Sequence, residues 1–159
     1  MAWTRTAERL GAMLALAGAT LSLCIAAVVT ASVLLRWTTS HGLSGDFEMV
    51  QMAVALAIFS FLPHAQLRRA NILVDTFTTW LPERVTSGID AFWDLVYGAA
   101  AALLAWRLAI GAGDAIASHT GTMILGLPTG WAIAACSAMA GLLALAALAT
   151  AAGRFGTRA

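Results

Sequence analysis

Three histidines, two cysteines and a few carboxylates are the side chains of this 159-residue chain that could do chemistry. A haem held within a bilayer needs imidazoles on facing helices at matching depth. His41, His64 and His119 offer no such pair. A metal could in principle join His41, His119 and Asp114 or Asp46, but the close ligand spacing of a metal motif is missing. Cys24 and Cys136 each lie in an apolar run, away from any CxxC or CxxH pattern, and are expected to behave as small hydrophobes. The chain has no G-x-S-x-G, no H-E-x-x-H and no glycine-rich phosphate loop. Ser137 has no base near it in sequence. Neither catalysis nor a cofactor nor a metal is expected.

The charges remain. Asp46 and Glu48 open an apolar run, where the positive end of a helix dipole would favour them. Contact with a partner would equally place carboxylates there. Arg107 and Asp114 are seven residues apart and so share a helix face, while Asp90 and Asp94 share another. Ionisable groups within a membrane are the first candidates for function. Arg107 either snorkels to the interface or pairs with a carboxylate, from Asp46 or Glu48 of a neighbouring helix or from a partner protein. The first and fourth apolar runs hold no charge, and the second has only Pro63 and His64 near its end. A proton or ion pathway through this chain alone is therefore not expected.

The elements that position these groups follow from composition. Hydrophobic residues make up 60% and charged residues 11%, with a mean hydropathy of +0.83. A soluble domain carries roughly 45–50% apolar and about 25% charged residues. This is an integral membrane protein, and a net charge of +1 provides no field for nucleic acid. The fold expected is all-α, one membrane domain over 1–159, with spans at about 10–35, 49–67, 89–112 and 127–152. The first run is too long for a signal-peptide core and is expected to be a retained helix. Pro63 predicts a kink or an early finish in the second span, and Pro128 fits the first turn of the fourth.

All nine cations are arginines. With four spans, Arg5, Arg9, Arg68, Arg69, Arg84, Arg154 and Arg158 fall on one side, and Arg36 and Arg107 on the other. That asymmetry predicts both termini in the cytoplasm. Trp37, Trp106 and Trp131 then mark outer ends, and Trp3, Trp80 and Trp93 inner ones. Between the second and third spans, Ala70, Leu73, Val74, Phe77, Trp80 and Leu81 fall on one helical face, opposite Asn71, Asp75, Thr78 and Thr79. The spacing predicts a short amphipathic helix over 70–81, lying in the cytoplasmic interface and stopped by Pro82.

The stretch Gly45-Asp46-Phe47-Glu48 opens the second span, and Arg68-Arg69-Ala70-Asn71-Ile72-Leu73-Val74-Asp75 follows it, with Leu81-Pro82 beyond. Leu127-Pro128 and Trp131 open the fourth span. In these motifs the chain resembles the DctQ-like family, the small membrane subunit of tripartite ATP-independent periplasmic (TRAP) transporters. Asn71 stands where the family usually shows histidine, and Pro63 where a glycine is common. The resemblance implies a three-part importer. A periplasmic binding protein delivers an organic anion, often a carboxylate, to a large membrane subunit driven by a sodium-ion gradient. The small subunit braces the large one in the bilayer and helps to dock the binding protein. On this basis Asp46 and Glu48 are expected to contact the large subunit or the binding protein. Arg68, Arg69 and Asp75 are expected to orient the interfacial helix, and Arg107, Pro128 and Trp131 to belong to the same partner interface. The competing expectations are the small subunit of another tripartite carboxylate importer and a membrane redox or haem protein using His64 with a partner's ligand. A homo-oligomeric proton-coupled exporter would need an acidic residue inside helix one, and there is none.

Overall fold

The computed structural model of the protein describes residues 2–68 and 83–156. Four helices make up the described chain: α1 (Ala2–Thr39), α2 (Asp46–Leu67), α3 (Glu83–Ala117) and α4 (Thr129–Gly156). Each is long and apolar enough to cross a membrane. Among the described residues there is no strand, only an isolated antiparallel bridge between Gly121 and Pro128. The expected interfacial helix over 70–81, with Arg69 and Asp75, lies outside the described residues.

The helices outrun the apolar windows that predict them. α3 begins at Glu83, ahead of the expected 89–112, and continues past it to Ala117. Backbone groups near hydrocarbon have no water to bond, so the ladder continues wherever the side chains can be accommodated. α2 likewise runs through Pro63 to Leu67 rather than stopping there. Pro128 is not in the first turn of α4 as expected; the helix begins one residue later, and Pro128 is held in the bridge to Gly121.

Side by side, the helices follow the order α1, α2, α4, α3, because α1 packs on α2, α2 on α4, and α4 on α3. The chain is thus two helical hairpins joined along α2 and α4. The α3–α4 contact is the most extensive, and its sequence basis is plain. On α3 the covered positions Ala91, Asp94, Gly98, Ala101, Ala105, Leu108 and Ala112 alternate spacings of three and four. Ser137, Ala140, Ala144, Ala147 and Ala151 face them from α4 with the same alternation. A mean spacing of 3.5 keeps one seam against a partner helix. Because lipid is as apolar as leucine, small residues that allow close backbone approach drive such packing. The Ser137 hydroxyl adds a bond to the Ala105 carbonyl at 2.7 Å.

α1 is covered more thinly. Gly11, Gly18 and Ser32, at multiples of seven residues, are its buried positions among the described side chains. Gly18 lies directly on Ser60 and Ala57 of α2, and a Cβ there would overlap the Ser60 hydroxyl. Leu16, Leu23 and Val33 of α1 stay exposed.

The seam makes a prediction. At Gly98 a Cβ would already stand 3.2 Å from that of Ala147. Gly98→Ile should destabilise the protein by about 1–3 kcal/mol. Ala99→Ile, on the exposed face beside it, should stay within about 0.5 kcal/mol. Thermal unfolding in detergent would compare the two, and equal melting temperatures would refute the seam.

Candidate functional site: the polar ties at the two ends of the bundle

The polar side chains collect at two levels. Connections 40–45 and 118–128 share one end of the bundle, called here the loop end. The start of α1 and the end of α4 lie toward the other, where Gly11 of α1 meets His64 and Leu67 of α2.

At the loop end Ser32, 1% exposed, is the pivot of the α1–α2 turn. Its hydroxyl donates to Asp46 Oδ2 at 2.6 Å and accepts the Leu43 N–H at 3.2 Å. The Arg36 guanidinium stands 3.6 Å from the same carboxylate, and Asp46 Oδ1 accepts the Phe47 N–H at 2.8 Å. Asp46 therefore closes the first hairpin and satisfies a free donor of the first turn of α2.

Glu48, two residues along α2, reaches the second hairpin. Its Oε1 accepts the Ile124 N–H at 2.8 Å and its Oε2 the Leu125 N–H at 3.0 Å. Bonds from two amides to one carboxylate are charge-assisted and stronger than neutral ones. Gly45 makes this approach possible. It holds φ +80°, and a Cβ there would come within 2.5 Å of Leu125.

The clasped loop is stiff in its own right. The Thr122 N–H donates to the Leu127 carbonyl at 3.0 Å and the Gly126 N–H to the Thr122 carbonyl at 3.1 Å. The Leu127 N–H reaches the Thr122 hydroxyl at 3.1 Å, and the Thr129 hydroxyl donates to the Thr120 carbonyl at 3.0 Å. This frame presents Met123 with its side chain fully exposed, followed by an exposed Ile124.

At the opposite end a second tie joins three helices. Gln66 of α2, 2% exposed, donates from Nε2 to Asp94 Oδ1 of α3 and to Thr150 Oγ1 of α4, both at 3.1 Å. The Thr150 hydroxyl in turn donates to the Ala147 carbonyl at 2.8 Å. His64, two residues before Gln66, has its Nδ1 buried with no hydrogen-bond partner among the described residues.

The structure thus brings Asp46 and Glu48 together at the loop end and gives both carboxylates intrachain partners. Arg107 bonds to neither. It is exposed on α3, as are Trp131 in the first turn of α4 and Pro128 beside it. Arg68 is exposed just past α2, and its N–H caps that helix on the His64 carbonyl at 3.0 Å. Among the described residues no three of His, Cys, Asp and Glu gather as a metal would need. Sequence reasoning missed Ser32, Gln66 and Thr150. Their signal was an uncharged polar residue inside an apolar run, which in a membrane must find a bond.

These groups hold helices and a loop in place. The sequence model of the tripartite ATP-independent periplasmic transporters, DctQ component, matches residues 25–157. The chain belongs to the DctQ family. As such it is the small membrane component of a TRAP transporter, a transport protein rather than an enzyme. The stretch shared with DctQ proteins spans the Asp46, Glu48 and Gln66 ties. Comparison with curated proteins and with solved structures gives no significant match.

The Glu48 clasp can be measured directly. Charge-assisted bonds contribute about 1.5–3 kcal/mol each. Glu48→Ala should therefore speed hydrogen exchange at the Ile124 and Leu125 amides by about tenfold or more. Amides of α4 past Trp131 should be unchanged. Unaltered exchange at Ile124 and Leu125 would show that the loop holds without Glu48.

Proposed function

We propose that this chain is the scaffold subunit of a TRAP importer that takes up an organic anion, a carboxylate by class, on a sodium-ion gradient. It acts beside a large membrane subunit and a periplasmic substrate-binding protein. The observation that carries the proposal is where the polar side chains are spent. Ser32, Asp46, Glu48, Gln66 and Thr150 all serve contacts between helices or between a helix and a loop. Between the two levels the described interior is mainly alanine, glycine and leucine, and the hydroxyls of Ser60 and Ser137 there are spent on the backbone carbonyls of Ala57 and Ala105. A substrate or ion path needs polar groups at mid-depth. A brace needs long apolar faces, and α1 leaves nearly all of its span uncovered.

The arginine asymmetry orients the subunit in the inner membrane, with the termini in the cytoplasm and the loop end in the periplasm. In that frame the stiff loop carrying Met123 and Ile124 faces the binding protein, and Pro128 and Trp131 lie beside it at the outer interface. Asp46 and Glu48 shape this surface from below. Arg68, Arg69 and Asp75 orient the cytoplasmic segment against the large subunit.

Pull-down of the tagged chain from its native membrane in mild detergent tests this. A large multi-span membrane protein should co-purify in equal amount. A chain recovered alone, as a stable homo-oligomer, would overturn the scaffold role. In cells, Glu48→Ala should lower substrate uptake while membrane insertion stays intact, and normal uptake would remove Glu48 from the working surface.

A further inference from the structure

Arg107 is a charge within α3 that none of these ties uses. Two contacts bracket its depth: Ser137 bonds the Ala105 carbonyl, and Gly130 sits against Ala112 and Ile116. Arg107 is therefore level with the stretch just before Ser137, about 9 Å along α4 from Thr129. An arginine within the span of a membrane helix is costly to insert. Such residues normally face protein or a water-filled cavity.

Among the described residues Arg107 does neither. The face of α3 that meets α4 runs through Gly98, Ala101, Ala105, Leu108 and Ala112, and at 100° per residue Arg107 falls almost opposite it, exposed. Asp114 shares its face but is about 10 Å farther along the axis, and no ion pair joins them. The carboxylates of Asp46 and Glu48 are engaged elsewhere.

We propose that Arg107 pairs with a carboxylate in a membrane-spanning helix of a different polypeptide. That helix covers the outward face of α3, where Trp93, Val96, Leu103 and Ile110 are exposed around Arg107. The charge of the partner follows from complementarity. Its being a different chain follows from symmetry. Two copies of this protein share one topology, so a two-fold axis along the membrane normal would set Arg107 against Arg107 at one depth. Like charges there repel, and Asp114 of the second copy would stand a helical repeat too far out to relieve them. The inference rests on the scaffold reading in requiring a membrane partner, and it names the face and the group that meet it.

The chain contains no lysine, so Arg107→Lys introduces its one side-chain amine. A membrane-permeant carbodiimide applied to native membranes would couple that amine to a carboxylate in contact with it. The expected product is an adduct heavier than the 16.5 kDa chain, with the new amide mapped to an Asp or Glu in an apolar span of another protein. The unsubstituted chain should give no such adduct. Coupling to a second copy, to a lipid carboxylate or to nothing would overturn the pairing. In the pull-down, Arg107→Gln should recover about three- to tenfold less partner than wild type, and Arg107→Lys nearly as much. Equal recovery with Arg107→Gln would overturn the proposal while leaving the scaffold role standing. A wild-type chain that recovers no partner would overturn both.

Discussion

α2 is fastened to the second hairpin at both of its ends, each time by one side chain. Glu48 takes two amides of the 118–128 loop, and some five turns later Gln66 reaches both Asp94 and Thr150. Between these points contact with α4 rests on small apolar groups, with Leu62 resting on the Ala101, Leu143 and Ala144 cluster. Apolar contact between helices in lipid sets no register, because sliding one past the other exchanges hydrocarbon for hydrocarbon. Two directional ties at opposite ends set it.

The contacts within each hairpin follow a different rule. α3 and α4 meet along a stripe of alanine and glycine, so their backbones come close and dispersion is gained over a long seam. α1 meets α2 at few points, the closest being Gly18 on Ser60. The large side chains, leucines and tryptophans above all, are turned outward. This inverts the soluble pattern and is what hydrocarbon as a solvent requires. It leaves a protein whose outer surface is apolar on every side, with Arg107 as an exception inside a span.

Much of this was legible in the sequence. Apolar runs bounded by arginines marked four spans, and Gly45-Asp46-Phe47-Glu48 marked the start of α2. The full extents were not, since the α3 helix runs beyond the expected 89–112 at both ends, from Glu83 to Ala117. The lateral order was hidden because alanine is so common that any face of any helix could have been the close one. Asp46 and Glu48 stood out as a pair, but the amides that Glu48 holds are more than seventy residues away in sequence. Gln66 carried no charge to draw notice, and its meaning depends on two residues from other helices. Pro128 was placed one residue too far into α4, because its bridge to Gly121 is invisible to local pattern.

The helix order also has a consequence for biogenesis. α1 and α2 can pair as soon as both have left the translocation machinery. α3 follows, and the helix it is built to touch has not yet been made. Until α4 arrives, the alanine and glycine stripe has no neighbour and Asp94 lacks the shared Gln66–Thr150 tie. Arg107 meanwhile enters the bilayer on the opposite face. α3 is therefore the span whose packing depends most on what comes after it.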